Sequence, residues 1–300
     1  MYEIVLMIFI FMVVLFCYVH IYDNYNTSND LEVYEIDKVS KDKLEEICNL
    51  KQPFLFNFDE TLITNTNLYG VTQHNEAFEI NIRVNEKEEE PDTSYSNDLL
   101  VPLILEKAKE LFNKEDTITY FTEDNADFLT ESGLIKYIKY NDSYLRPYMV
   151  SNCFYDIMSG SANGYTPLRY DINNRNYYLV TNGFIEITLI PPKYSKYLYQ
   201  QPDYELFEFK SPINVWDVQS KYKQEYNKSK SIRFTINTGK MLYIPPYWWY
   251  SIKFNKHASV TTLKYRTFMN NFAILPNTIL HYLQLYNIKR STIENKRIFT

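Results

Sequence analysis

The pattern of hydrophobic and polar positions begins with an unbroken apolar run over residues 4–22. At 1.5 Å per residue, this run forms a helix of about 28 Å, close to the roughly 30 Å hydrocarbon thickness of a bilayer. A cleaved signal peptide has a basic region before the run and small residues after it, whereas here Cys17 and Tyr18 stand near its end. The pattern predicts an uncleaved transmembrane anchor over residues 1–22 that contacts the membrane through residues 4–22.

Polar and acidic residues fill the next segment, 23–37, and predict a short stalk between the membrane and the fold. Mixed helical and strand patterns follow over residues 38–129. Ser40 precedes a helical pattern, whereas residues 53–58 and 77–84 have the composition and alternation of strands. We therefore expect an N-terminal α/β elaboration in this part of the chain.

Two further features of this part are a charged run and a helix. Residues 86–92 are mostly acidic and predict a solvated loop. Pro102 marks the predicted start of an amphipathic helix, because proline is tolerated in the first turn. The apolar positions of this helix, at helical spacing, are Leu105, Ala108, Leu111 and Phe112.

Residues 130–272 have a different character, with short apolar stretches separated by turn residues. Many short strands at close intervals are typical of a sandwich or barrel. The predicted strands lie within 151–158, 166–172, 177–192, 231–239, 240–246, 249–254 and 259–267. A C-terminal helix is predicted within 273–300, after Pro276, with an apolar side formed by Ile279, Leu280, Leu283 and Tyr286.

The charge balance excludes one class of function. Lys and Arg number 31 and Asp and Glu 37, a net charge of -6, which argues against a protein that binds nucleic acid through its phosphates. The three cysteines, Cys17, Cys48 and Cys153, are far apart and form no zinc-binding spacing. A reducing location for the globular part is the simplest interpretation, but the side of the membrane stays open, since few basic residues flank the anchor.

Two segments carry the chemistry of the sequence. One runs from Gly164 to Pro192 and contains Arg169-Tyr170-Asp171; the other runs from Gly239 to Phe254 and contains Trp248-Trp249-Tyr250. In order and spacing, over roughly residues 130–272, they resemble the cupin-like JmjC family of iron and 2-oxoglutarate oxygenases, which includes asparaginyl hydroxylases. Similar membrane-anchored, cupin-like sequences with Trp-Trp-Tyr in the second motif occur among large DNA viruses.

The resemblance implies an α+β, mainly β fold: a double-stranded β-helix of the cupin or jelly-roll type with N- and C-terminal helices and the N-terminal transmembrane helix. In that family His-x-Asp and a distant His hold Fe(II), a triad that leaves positions open for cosubstrate and oxygen. The matching positions here are Arg169, Asp171 and Tyr250, so one ligand of three is retained. Arginine has no lone pair for a metal, and tyrosine, with a pKa near 10, requires a strong Lewis acid to bind as phenolate.

The cosubstrate position has changed as well, because Ile185 stands where the family places a lysine for 2-oxoglutarate. By analogy with other oxygenases of this class, Lys264 or Arg266 would hold an anion, together with Arg169. For Arg169 and Asp171 we predict a two-pronged guanidinium–carboxylate contact inside the barrel mouth, with the Tyr250 hydroxyl nearby.

Other residues have simpler interpretations. Trp248 and Trp249 belong to the barrel motif and are expected to be core aromatics. The neighbouring carboxylates Glu123 and Asp124 are interpreted as surface charge or a helix cap. His257 is expected in an exposed turn.

These features predict a membrane-anchored, cupin-like protein that holds no metal and no cofactor. Its predicted role is non-catalytic, as a binding or structural protein of a viral membrane or virion. Its partner would be an unknown protein or small molecule. Two alternatives stay open: an Fe(II)/2-oxoglutarate hydroxylase with an unorthodox metal site, and a pocket protein for a small anion.

Overall fold

The computed structural model describes residues 2–58, 60–70, 74–85, 100–114 and 118–298. Its helices are α1 (Tyr2–Tyr25), α2 (Lys41–Asn49), α3 (Glu60–Thr66), α4 (Leu105–Asn113), α5 (Ala126–Glu131), α6 (Ile135–Asn141), α7 (Ser220–Tyr226), α8 (Phe268–Ala273) and α9 (Leu275–Ile298). Its strands are β1 (Tyr34–Ile36), β2 (Phe54–Asn57), β3 (Glu79–Asn85), β4 (Val101–Ile104), β5 (Thr119–Thr122), β6 (Val150–Gly160), β7 (Arg169–Tyr170), β8 (Arg175–Asn182), β9 (Phe184–Ile190), β10 (Gln201–Asp203), β11 (Glu208–Lys210), β12 (Ile232–Asn237), β13 (Lys240–Ile244), β14 (Trp249–Phe254) and β15 (Ser259–Thr267).

The strands form two sheets. The larger has the order β1-β2-β13-β8-β15-β6-β5-β3-β4, and the smaller has the order β10-β11-β7-β14-β9-β12. Both sheets are almost entirely antiparallel; the pair β1–β2 is parallel. Strands from the expected N-terminal elaboration, such as β2, β3 and β5, therefore lie in one sheet with the expected barrel strands.

The larger sheet is buried on both faces, as β8 illustrates. Tyr177 and Leu179 belong to a core shared with the helices, including Leu44 of α2. Tyr178 and Val180 belong to a second core that contains residues of both sheets. Successive side chains of a strand point to opposite faces, so β8 joins the two cores and its sequence is apolar without alternation.

Helix α1 confirms the predicted N-terminal helix and is long and apolar enough to cross a membrane. Its last turn is attached to α8: the Tyr25 hydroxyl donates to the Ala273 carbonyl over 2.8 Å, and the Asn270 amide donates to Asn24 Oδ1 over 3.3 Å. The polar end of the apolar helix is therefore part of the folded body.

Most of the predicted strands are confirmed, including β6, β13, β14 and β15. The long stretch 177–192 is divided at Gly183 into two strands of different sheets: β8 pairs with β13 and β15 in the larger sheet, and β9 pairs with β12 and β14 in the smaller. The φ of Gly183 is 64°, in the left-handed region that favours glycine. The stretch 166–172 contributes only the two residues of β7. The acidic run 86–92 lies outside the described residues.

The prediction for Pro102 is wrong. Pro102 lies in β4, and α4 begins three residues later, at Leu105. β4 is at the edge of the larger sheet, where a residue without an N–H interrupts no ladder on its open side. The inward positions of α4 hold: Leu105, Ala108 and Phe112 are buried.

The segment 23–37, expected as a stalk, is attached to the fold along its length. Its residues 34–36 form β1, which pairs with β2. The Gln52 side chain donates to the carbonyls of Asp30 and Glu32 over 2.8 and 2.7 Å. The prediction of a stalk was based on the polar side chains of this segment. The segment is attached to the fold through its backbone, and such contacts do not depend on side-chain polarity.

Candidate functional site

A pocket of about 310 Å³ opens between strands of the two sheets. Its walls include Phe154 and Asp156 of β6 and Lys264 and Arg266 of β15. Phe154 lies opposite Lys264, and Asp156 lies opposite Thr262, in the β6–β15 register. Alternate residues of each strand share a face, so the pattern of β15 itself places Lys264 and Arg266 in the same wall.

The structure brings the predicted site residues to this pocket. Arg169 and Asp171 line it together with Lys264 and Arg266. Tyr250 lies directly opposite Arg169 in the β7–β14 register, and the Arg169 guanidinium carbon lies 5.7 Å from the centre of the Tyr250 ring. The three positions that match the iron ligands of the family are therefore close together.

Asp171 is the acceptor at the centre of a hydrogen-bonded group, which we call the Asp171 cluster: Asp171, Tyr178, Tyr250 and Lys264. The hydroxyls of Tyr178 and Tyr250 donate to Asp171 Oδ2 over 2.8 and 2.9 Å. The Lys264 ammonium donates to Oδ1 over 3.0 Å. Burial by itself raises the pKa of Asp171, but the charges of Lys264 and Arg169 outweigh it and hold this pKa below its ordinary value.

The predicted contact between Arg169 and Asp171 is wrong, although the Tyr250 hydroxyl does lie beside Asp171. The guanidinium of Arg169 donates instead to Glu123, and its Nη1 lies 3.6 Å from Glu208 Oε1. Lys264 takes the place of Arg169 as the ion-pair partner of Asp171. The sequence did not reveal these partners because Glu123 and Glu208 lie far from Arg169 along the chain.

A second group, the Arg169 cluster, contains Arg83, Glu123, Asp124, Arg169 and Glu208. Arg83 lies 3.1 Å from Glu123, 3.3 Å from Asp124 and 2.9 Å from Glu208. Burial raises the pKa of Glu208, but the charges of Arg169, Arg83 and Lys210 outweigh it and lower this pKa to about 2. Glu208 is therefore ionised at neutral pH and pairs with the guanidiniums around it.

The interpretation of Glu123 and Asp124 as surface charge is wrong for the first of them. Glu123 is only 2% exposed, at the end of β5, whereas Asp124 is largely open to solvent. Oxygens of Glu123, Asp124 and Glu208 lie within 4.8 Å of one another, as in some metal sites. The guanidiniums of Arg83 and Arg169 and the ammonium of Lys210 already pair with these carboxylates, so we assign the group to ion pairing.

The residues at the three matched positions do not fit an iron ion. Arg169 offers no lone pair, and Tyr250 uses its hydroxyl proton in a hydrogen bond to Asp171. Burial raises the pKa of Tyr250, although the Arg169 charge acts in the opposite direction. A divalent cation here would have to displace two tyrosine protons and an ammonium from Asp171 and sit beside a fixed guanidinium.

Arg266 has a different environment from Arg169. Its guanidinium carbon lies 4.9 Å from the Phe154 ring centre and 5.2 Å from that of Phe207. Its Nε donates to Asn173 Oδ1 over 2.6 Å. Within the part of the chain that the structure describes, Arg266 makes no ion pair. Burial lowers the pKa of Arg266, although the charge of Asp171 acts in the opposite direction.

Asp156, which sequence reasoning missed, gives the pocket a group that titrates near neutrality. Its carboxylate accepts hydrogen bonds from the backbone N–H groups of Asp124 and Asn125 over 2.8 and 2.7 Å. Burial, and then the charge of Asp124, raise the pKa of Asp156 to about 7. No signal in the sequence singled out Asp156, because its place in the pocket depends on the pairing of β6 with β15.

The remaining predictions for this region agree with the structure. Trp248 and Trp249 are fully buried; their indole N–H groups donate to the Ser28 carbonyl and to Ser195 Oγ over 3.0 and 2.8 Å. His257 is exposed, in a turn with a φ of 59°.

Comparison with known families now gives the class. The sequence profile described as a cupin-like domain matches residues 69–272. The chain therefore belongs to the cupin-like domain family, to which JmjC-type domains are related. The match begins well before residue 130, consistent with the shared sheet of β3, β5 and β6. None of the curated proteins compared with the chain matches it.

Proposed function

We propose that this chain is a membrane-anchored, non-catalytic binding protein: a cupin-like domain of double-stranded β-helix type in which ion pairs have replaced the iron site. One observation carries the proposal. Asp171, the retained ligand position, has both carboxylate oxygens engaged, by Lys264 and by two tyrosine hydroxyls. A protein that keeps the pocket and neutralises its metal position retains the means to bind but lacks the means to activate oxygen.

The test measures metal and turnover in the full chain purified in detergent. We expect iron at far below one equivalent after incubation with Fe(II), and no decarboxylation of 2-oxoglutarate above a protein-free blank. The hydroxylase alternative predicts the opposite. Stoichiometric iron that is lost in an Asp171→Ala variant, or turnover that the same substitution abolishes, would overturn the proposal.

A specific observation favours a small anion as the ligand. Arg266 is held between two phenyl rings without an ion-pair partner among the described residues, and the buried Nε of Arg169 has no hydrogen-bond partner in the same part of the chain. Both residues line the pocket. A desolvated guanidinium with free donors suits a carboxylate, sulfate or phosphate group.

Ligand-induced thermal stabilisation tests this ligand class. Sulfate, oxalate and 2-oxoglutarate are added separately to the full chain. We expect at least one of them to raise Tm, and Arg266→Gln to remove the shift. Lys256→Gln, a charge change in an exposed turn, is the control and should keep it. Equal shifts in both variants would mean that the anion binds elsewhere.

The location is part of the same proposal. The apolar helix α1 supports anchorage in a membrane, and the resemblance to sequences of large DNA viruses supports a viral or virion membrane. In that setting the domain presents its pocket beside a lipid surface.

A further inference from the structure

The C-terminal helix α9 has its apolar side turned away from the protein. Thr278, His281 and Leu285 are half-buried and follow one line along the helix. The exposed apolar side carries Leu275, Ile279, Leu280, Tyr282, Leu283 and Tyr286, which are 44% to 67% exposed. A surface helix of a soluble domain normally has the reverse arrangement, with its apolar stripe against the core.

This outward apolar side continues into α8. Phe268 and Phe272 of α8 are 58% and 48% exposed. α8 is also the element on which the last turn of α1 rests, through the hydrogen bond from Tyr25 to the Ala273 carbonyl. Leu275 follows Ala273 by two residues, so the apolar side of α9 starts next to the point where α1 leaves the body.

We propose that α8 and α9 lie in the lipid–water interface of the membrane that α1 crosses, with the outward side of α9 inserted among the acyl chains. Since this surface adjoins a helix that itself requires lipid, one occupant covers both. Tyr282 and Tyr286 suit the interface, where an aromatic ring contacts acyl chains and its hydroxyl contacts water. The sequence of α9 continues with Lys289 and Arg290, and basic residues favour an anionic lipid surface.

The arrangement also places the pocket near the membrane. The His281 ring lies 5.0 Å from that of Phe207 in the pocket wall, and its Nδ1–H donates to the Tyr204 carbonyl over 2.6 Å. Asn270 donates both to Asn24 of α1 and to the carbonyl of the pocket residue Ile172. A lipid-bound α9 would therefore hold the pocket rim at the bilayer surface.

The test maps lipid contact along α9 in the full chain. Cys17 and Cys153 are replaced by serine, and single nitroxide labels are attached to I279C, L283C or Q284C in vesicles of phosphatidylcholine and phosphatidylserine. Protein without an introduced cysteine corrects for labelling of the buried Cys48. Oxygen, which concentrates in lipid, and a water-soluble nickel complex are used as collision partners. We expect the oxygen-to-nickel ratio to be several-fold higher at positions 279 and 283 than at 284.

The inference rests on membrane anchorage by α1, and a label at V13C separates the two failures. A lipid-like ratio at position 13 with water-like ratios at 279 and 283 overturns the inference and leaves the anchor in place. A water-like ratio at position 13 as well overturns both. Exclusion of both collision partners from 279 and 283, with dipolar broadening between labels, overturns the inference by showing that a second copy covers α9.

Discussion

The guanidinium of Arg169 and the carboxylate of Asp171 stand two residues apart and face the same pocket, yet each is neutralised by a different element. Asp171 is paired with Lys264 of β15, whereas Arg169 is paired with Glu123, at the end of β5. A buried charge without a partner is costly, and removing one partner of a pair leaves the other exposed to that cost. Substitutions in this site therefore act on charge balance first.

Restoring histidines at the two changed ligand positions tests the origin of the site. In the full chain, Arg169→His with Tyr250→His re-creates His-x-Asp and a distant His around Asp171, and removes the guanidinium that repels a cation. We expect Co²⁺ or Mn²⁺ to bind at least about tenfold more tightly than to the unmodified protein, as measured by calorimetry. Arg169→Gln with Tyr250→Phe is the matched control. Equal affinities in the two double variants would count against a former metal site.

Anion binding is expected to depend on pH through Asp156. Because its pKa is raised to about 7, Asp156 becomes neutral as the pH falls through 7 and becomes charged as the pH rises. Sulfate stays a dianion over this range. One elementary charge across a small pocket corresponds to about 1–2 kcal/mol, so sulfate should bind roughly tenfold more weakly at pH 8 than at pH 6.

The matched variants separate Asp156 from its neighbours. Asp156→Asn should bind sulfate at both pH values with the affinity that the unmodified protein has at pH 6. His281→Gln, which alters a ring at the pocket wall, should keep the dependence of the unmodified protein. A dependence that survives in Asp156→Asn would assign the titration to another group.

At the scale of elements, the end of strand β6 limits which residue the sequence can carry there. β6 reaches its last residue, Gly160, where the two sheets approach each other. A Cβ at this position would lie 2.7 Å from the Phe254 ring of β14 and 2.9 Å from the Tyr120 carbonyl of β5. The second of these atoms is backbone and cannot move aside alone, so the strand end requires glycine.

Gly160→Ala is expected to lower the free energy of unfolding by about 1–3 kcal/mol through overpacking. Denaturant titration of the full chain in detergent measures the loss. Gly70→Ala is the control, because a Cβ there meets only the Asn67 side chain, at 3.4 Å, and its effect should be smaller. Equal losses would mean that the sheets are farther apart at Gly160 than described.

Local pattern and tertiary position disagree at two elements. Pro102 is compatible both with the first turn of a helix and with an edge strand, and pairing with β3 selects the strand. The apolar spacing in α9 identifies a helix, but the same spacing fits a side that faces a core and a side that faces lipid. In both cases the sequence limits the conformation or the periodicity of the element. The tertiary structure then determines which strand, core or surface the element contacts.

At the scale of the whole molecule, helix α1 and the cupin-like domain are joined by direct contacts. The last turn of α1 contacts α8, and α8 contacts the pocket wall through Asn270. Hydrogen bonds therefore connect the end of α1 to the pocket side of the domain through α8.

Extraction of membranes tests whether α1 anchors the chain. We expect the full chain to stay with membranes in alkaline carbonate, and Phe11→Lys with Val14→Lys to release it, since each lysine near the centre of a span costs about 2.5–3.5 kcal/mol. Tyr34→Lys with Leu50→Lys, two exposed positions on the body, is the control and should leave the chain in the membrane. Release of the unmodified chain by carbonate would contradict the prediction.

The sequence alone determined the apolar helix, most strands of the two sheets and the positions of Arg169, Asp171, Tyr250, Lys264 and Arg266. The helix and the strands follow from periodicity, which is a local property of the chain. The site positions follow from the resemblance of two motifs to the JmjC family. Only the tertiary structure decided which charges pair, because Glu123, Glu208 and Arg83 come to Arg169 through strand neighbours distant in sequence. It also decided which side of α9 faces outward, since periodicity fixes the side of a helix that is apolar and not what that side meets.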